Sequence, residues 1–350
     1  MQAASMTVPG RVNLIGEHTD YNGGMVLPAA LSVALTVNLL PRSDRRISVS
    51  ARGYSGSAER SLDEPAQGHW SDPSVGALRE AVALGLLQDG ADIVIRSDIP
   101  AGSGLSSSAA LIVAILKAAR LQAGADIGDL DIALAARRVE NDYIGLPCGI
   151  MDQVAVAVAQ PGQAIALDTA TLDYELVELP RSHAMVVLHS GHSRRLSDGR
   201  YRLRKEECDA AGQAFATDAL CLLDPVAIEN APDINPILRR RARHCSTEHR
   251  RVLAARDALA ANDLATFGAL MNASHASMRD DFEVSIPQID ALVADAVECG
   301  ALGARLTGGG FGGCIVACVE DTVREQWLER VLELHPKARL IDYVGGEPKG

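Results

Sequence analysis

Asp98-Ile99-Pro100-Ala101-Gly102-Ser103-Gly104-Leu105-Ser106-Ser107-Ser108-Ala109-Ala110 is the stretch that decides what kind of fold this chain can have. It follows a strand-like segment, Ala91 to Arg96, and reads as a glycine turn running into a serine-rich helix start. Two glycines let the backbone turn tightly. Three serines at a helix start present unpaired N–H groups and hydroxyls at the positive end of the helix dipole. That combination suits a polyphosphate, and it equally suits a serine-capped helix after a turn. No Gly-Lys-Ser/Thr follows, so a P-loop nucleotidase is excluded.

Toward the N-terminus lies Gly10-Arg11-Val12-Asn13-Leu14-Ile15-Gly16-Glu17-His18-Thr19-Asp20-Tyr21, a crowd of charges around an apolar center. A strand facing a core cannot also bury Arg11, Glu17, His18 and Asp20 unless each finds a partner. A solvated turn and a polar pocket are the two ways out. Toward the C-terminus, Thr307-Gly308-Gly309-Gly310-Phe311-Gly312-Gly313-Cys314 satisfies G-x-G-x-x-G from Gly308 to Gly313. A dinucleotide fingerprint must follow a strand and open a helix, whereas a helix (Ser285 to Cys299) is expected before this segment and a strand (Ile315 to Val319) after it. The glycines mean close backbone approach, to a ligand or to a neighbouring loop. A third element is Gly145-Leu146-Pro147-Cys148-Gly149-Ile150-Met151-Asp152-Gln153, with Glu140 on the helix before it. Asp152 sits at a helix start, where an N-cap role is open to it. Glu140 taken alone reads as a surface helix residue.

The chain has 350 residues, 47% of them hydrophobic, which suits two domains of common size. A net charge of -12 argues against nucleic-acid and anionic-membrane partners, which rely on basic surfaces. The basic run Arg239-Arg240-Arg241-Ala242-Arg243-His244 reads as a solvated helix face in preference to a phosphate patch. Seven cysteines without regular spacing read as reduced thiols, and no apolar N-terminal segment suggests export. A cytoplasmic protein is expected. The apolar run from Ala109 to Leu116 is broken by Lys117 and Arg120, so no membrane span is expected. Cys245 with His249, and His189 with His192, lack a second ligand pair, so neither reads as structural zinc.

Along the chain, strands are expected at Met25 to Pro28, Ser32 to Leu40 and Ile47 to Ala51, the last returning antiparallel to the one before it. Residues 52 to 74 read as loop, followed by helices at Val75 to Gln88, from the serine-rich start to about Gln122, and at Asp129 to Ile144. Two strands lie around Asp168 to Thr171, and a domain boundary is placed near Pro180. A strand at Met185 to His189 precedes helices around 200 to 215 and 236 to 262 and a further helix with Ser285 as N-cap.

Taken together, Gly10 to Tyr21, Gly102 to Ala110 and Thr307 to Cys314, in that order, resemble the sugar-binding, phosphate-binding and third glycine-rich motifs of the galactokinases of the GHMP small-molecule kinase superfamily. Pro147 to Gln153, Arg240 to His244 and Ser274 through Ser285 match as well, so the resemblance covers nearly the whole chain. It implies an α+β, two-domain fold with a ribosomal-protein-S5-like N-terminal lobe (residues 1–180) and a ferredoxin-like C-terminal lobe with added helices (residues 181–350). It also implies that Glu17, His18, Asp20, Gly149, Asp152 and Tyr201 contact a hexose, with Arg11 and Asp152 flanking its anomeric hydroxyl as the catalytic pair. Gly102, Ser103, Gly104, Leu105, Ser106, Ser107 and Ser108 would wrap the ATP phosphates, and Ser108 and Glu140 would hold Mg²⁺, a hard cation that prefers oxygen. The implied protein is a monomer that phosphorylates galactose with ATP. A kinase for N-acetylgalactosamine or another sugar, and a non-catalytic galactose and ATP sensor, are the alternatives. The chain departs from the family pattern in its short segment before Val8, in Trp70-Ser71-Asp72-Pro73 and in Ile112, where an acidic residue is common.

Overall fold

Alternation of apolar residues along Val37, Leu39, Ile47, Val49, Ile93 and Ile95 buries one side of a sheet, and the strands form where that alternation is found. The computed structural model describes residues 3–53, 56–100, 102–192 and 199–346. These fall into two compact units interleaved in sequence, one of Met1–Arg11, Val33–Ala101 and Ser106–Ala159, the other of Val12–Ser32, Gly102–Leu105 and Gln160–Gly350. The grouping differs from a single cut near Pro180, because the chain leaves the first unit and returns to it twice. No described helix is long and apolar enough to cross a membrane.

In the first unit, the strand order is β3 (Pro28–Pro41), β6 (Ala91–Ser97), β4 (Arg46–Ala51), β5 (Ser57–Ser61), with β1 (Ala4–Asn13) also on β3. The expected hairpin of Ser32 to Leu40 with Ile47 to Ala51 does not form. β6 lies between the two, antiparallel to β3 (Val37 opposite Ile95) and parallel to β4 (Val49 opposite Ile93). A parallel pair needs a crossover, and α1 (Asp72–Ala83) lies within the segment that makes it. The expected loop at 52 to 74 contains β5, whose polar Ser-Ala-Glu-Arg-Ser sequence suits an edge. α2 (Ser107–Ala123) is buried on almost every side, from Ala109 through Ala119, and Gly124 ends it at φ +61°. α3 (Asp129–Arg138) runs on as a wider π turn over Val139–Ile144, and α4 (Met151–Val158) completes the packed helices.

In the second unit, β7 (Gln163–Asp168) pairs with β2 (Met25–Val26), with the start of β3 and with β8 (Tyr174–Glu178). A separate antiparallel sheet has the order β10 (Gly303–Thr307), β11 (Cys314–Glu320), β9 (His183–His189), β12 (Arg339–Gly345). Around it lie α5 (Arg200–Phe215), α6 (Pro225–Glu229), α7 (Pro236–Ala260), α8 (Leu264–Asp280), α9 (Pro287–Glu298) and α10 (Arg324–Leu334). Their core joins Val186 and Leu188 to Phe282, Leu292, Ile315 and Trp327. Ser285 is not the N-cap of α9: Ile286 holds that place, and the Ser285 hydroxyl donates to Asp290 Oδ1 at 2.5 Å. The basic run is not a solvated face either. Arg241 is 1% exposed and its guanidinium donates to Glu207, to Glu283 and to the Asp281 carbonyl, while His244 is fully buried.

Candidate active site

The charged segment from Arg11 to Thr19 is buried, so the polar pocket is the arrangement found. In the first unit, Arg11 at the end of β1 meets Asp152 at the start of α4. Arg11 Nε and Nη2 donate to Asp152 Oδ1 at 2.9 and 2.6 Å, and Ser106 Oγ donates to Asp152 Oδ2 at 2.6 Å. Arg11 is almost enclosed, whereas the Asp152 side chain keeps 32% of its surface, enough to receive a further partner. Asp152 is not the N-cap of α4, a place taken by Ile150.

Ser106 precedes α2 at φ +64°, a left-handed conformation costly for a residue with a Cβ. It forms no side-chain cap, because its hydroxyl is committed to Asp152. The first N–H groups of α2, at Ser107 and Ser108, thus have no side-chain cap and face the anion-favouring end of the helix.

Glu140 is not a surface residue. The π turn carries it inward, 5% exposed, where it accepts from Gln153 Nε2 and the Cys148 thiol, with the Ser108 hydroxyl close enough to lower its carboxyl. Burial, reinforced by the charge of Asp152, raises its carboxyl above the usual range. Gln153 Oε1 is buried with no hydrogen-bond partner. Ser108, Glu140 and this orphan oxygen are hard donors that fit a hard divalent cation, which dehydrates reluctantly and takes few protein ligands.

In the second unit, Glu17 is 2% exposed. Its Oε1 accepts from the Gly308 N–H at 2.9 Å and its Oε2 from Arg305 of β10. Burial raises the Glu17 carboxyl and Arg305 opposes that rise. Next to it, Glu248 of α7 accepts from the Gly16 N–H at 3.0 Å and from Ser274 Oγ at 2.5 Å. Burial would raise its carboxyl, but Arg251 and Arg305 hold it down to about 2. His18 adopts φ +62° with Asn22 Nδ2 on its carbonyl at 2.7 Å. Its imidazole lies among Phe282, Tyr201 and Tyr21, with ring centroids at 4.5, 5.5 and 5.9 Å, and Nδ1 is 2.8 Å from the Tyr21 hydroxyl. Asp20 and Tyr201 are half-buried beside this aromatic cluster, and Gly149 is buried in the first unit ahead of α4. His244 Nε2–H donates to the Glu17 carbonyl at 3.1 Å, which leaves Nδ1 to accept from Ser277 Oγ at 2.9 Å.

Gly102 and Gly104 have φ +69° and +79°, with open space where a Cβ would stand, so their glycines serve backbone conformation. Gly308 and Gly313 serve close approach. A Cβ on them would lie 3.1 Å from the Gly104 carbonyl oxygen and 3.0 Å from that of Ser103. The third motif therefore abuts the phosphate-type loop and forms the turn between β10 and β11. A strand, not the expected helix, precedes it, and the absence of a following helix still rules out a dinucleotide fingerprint.

Sequence reasoning missed Arg305, Glu248 and Gln153. A single charged residue in the otherwise uncharged Gly303–Thr307 strand was the available signal for the first.

Family models for the galactokinase galactose-binding signature, the GHMP kinase N-terminal domain and the GHMP kinase C-terminal domain match residues 2–39, 74–160 and 255–334. The crystal structure of Lactococcus lactis galactokinase complexed with galactose is 32% identical, covers 99% of this chain and 94% of its own, and superposes with a TM-score of 0.93. Methanococcus jannaschii mevalonate kinase (17% identity, 99% of both chains, TM-score 0.70) shares the fold. So does a D-glycero-D-manno-heptose 1-phosphate kinase from Bacteriodes thetaiotaomicron (18%, 100% of both chains, 0.66). With its three motifs in order, its mixed α+β architecture and near-complete coverage by a galactokinase, this chain belongs to the galactokinases of the GHMP kinase family, phosphotransferases that act on an alcohol group.

Proposed function

We propose that this protein transfers the γ-phosphoryl group of ATP to the anomeric hydroxyl of α-D-galactose, giving galactose 1-phosphate and ADP. The observation that carries the reading is the Arg11–Asp152 pair, fixed by Ser106, in a chain whose residues 2–39 match a galactose-binding signature.

Phosphoryl transfer asks a protein mainly for positioning and charge stabilisation. Asp152, held on both oxygens, accepts the hydrogen bond that aligns the attacking hydroxyl. Arg11 brings positive charge to the transferred group, where negative charge develops. Glu17, His18, Asp20, Gly149 and Tyr201 bind the hexose, and Gly102 to Ser108 wrap the ATP phosphates. Ser108 and Glu140 would hold Mg²⁺, which would supply charge neutralisation. The sugar and phosphate motifs belong to residues 1–180 and the third motif to residues 181–350, in a cytoplasmic monomer.

The test is ADP release across a panel of sugars. Galactose is expected to give the highest kcat/KM. Preference for N-acetylgalactosamine or another sugar would overturn the substrate, and galactose binding without any ADP release would identify a sensor.

A further inference from the structure

Arg305 is fully buried at the middle of β10, the one charged residue in Gly-Ala-Arg-Leu-Thr. Its Nη2 pairs with the Glu17 carboxylate, and its Nη1 donates to the Leu14 and Asn13 carbonyls at 3.1 and 3.4 Å. Nε donates to Ser274 Oγ at 3.1 Å, which passes its own hydrogen to Glu248 Oε1. The same strand's Thr307 hydroxyl adds a bond to the Asn13 carbonyl at 2.8 Å. A desolvated guanidinium is expensive unless its donors are used. Here both Nη groups reach the backbone and the carboxylate of one short segment, Asn13 to Glu17.

We propose that Arg305 is a positioning residue for sugar binding, one that acts through Glu17 and the Asn13 and Leu14 carbonyls to hold the galactose-binding signature in its binding shape. This rests on the reading of Glu17 as a hexose contact. Arg305 itself need not touch the sugar. A planar fork can reach a carboxylate and two carbonyls at once, and a lysine ammonium, being a point charge, cannot hold all of them in one geometry.

Arg305→Lys keeps the positive charge beside Glu17 and Glu248, so it tests position with the charge retained. The expected result is a galactose KM raised about tenfold, with kcat and the ATP KM within about twofold of the parent. A second measurement is the cycle of Glu17→Gln, Arg305→Met and their charge-neutral pair. If Arg305 works through Glu17 and its segment, the double variant raises the galactose KM by less than the product of the two single effects. An unchanged galactose KM in Arg305→Lys, a parallel loss in kcat and ATP KM, or additive effects in the double variant would each overturn the proposal. A parent protein that releases no ADP from galactose would instead sink the kinase reading itself, so the two failures are told apart.

Discussion

At the scale of single residues, Asp152 is the position where a small chemical change should matter most. Asp152→Asn keeps size and shape but removes the charge, and it sets an amide N–H₂ against donors from Arg11 or Ser106. Turnover with galactose and ATP should fall by about 10²–10⁴-fold, with the melting temperature little changed because the side chain is only partly buried. Steady-state kinetics beside a thermal melt check both halves, and near-normal turnover would remove Asp152 from its assigned role. The residue types around this site were readable because chemistry restricts them: a carboxylate, a guanidinium and a serine-rich helix start have few substitutes. What a linear pattern hides is partnership. Ser106 read as a phosphate ligand, yet its hydroxyl is bonded to Asp152, 46 positions away. Glu140 read as an exposed helix residue because nothing local reveals that a π turn will swing it inward.

At the scale of elements, turns use glycine for two separate reasons. Gly310 (φ +82°) has Val284 Cβ and its carbonyl oxygen both 2.6 Å from where a Cβ would stand, while Gly162 (φ +77°) has open space there. Gly162→Ala should cost only the left-handed strain, about 1 kcal/mol. Gly310→Ala adds a collision with backbone and should cost roughly 3 kcal/mol or more. Paired urea titrations measure the gap, and equal costs would refute the packing argument. Helix ends marked by glycine, as at Gly124, were legible. Strand partners were not. The hairpin expected of Ser32 to Leu40 with Ile47 to Ala51 assumed that neighbours in sequence pair, and β6 from further along the chain takes the place between. Polar β5 escaped notice because an edge strand lacks the apolar alternation by which strands are recognised.

At the scale of the whole molecule, buried titratable groups make stability depend on pH. His244 is enclosed, and burial lowers its imidazole from 6.5 to about 4. The unfolded chain then takes up a proton below pH 6.5 that the folded chain refuses until about pH 4. Stability from this group is therefore complete above pH 6.5 and is lost as pH falls toward 4, a change of about 3 kcal/mol. Denaturant midpoints across that range should decline more steeply for the parent than for His244→Gln. Identical slopes would show that the imidazole already carries a proton in the fold.

The pairing of Glu17 with Arg305 joins positions 288 apart, and this distance has a meaning during synthesis. At about 5–20 residues per second, the glutamate waits on the order of 15–60 s for its arginine to be made. Until then the sugar-binding segment has no cation for its carboxylate and no strand for its carbonyls. The residues of the first unit are all made by Ala159, those of the second only near the end of the chain. A ribosome stalled between Ala159 and Arg305 thus carries a nascent protein whose first-unit residues can already pack while its acceptor segment stays open to proteases and chaperones.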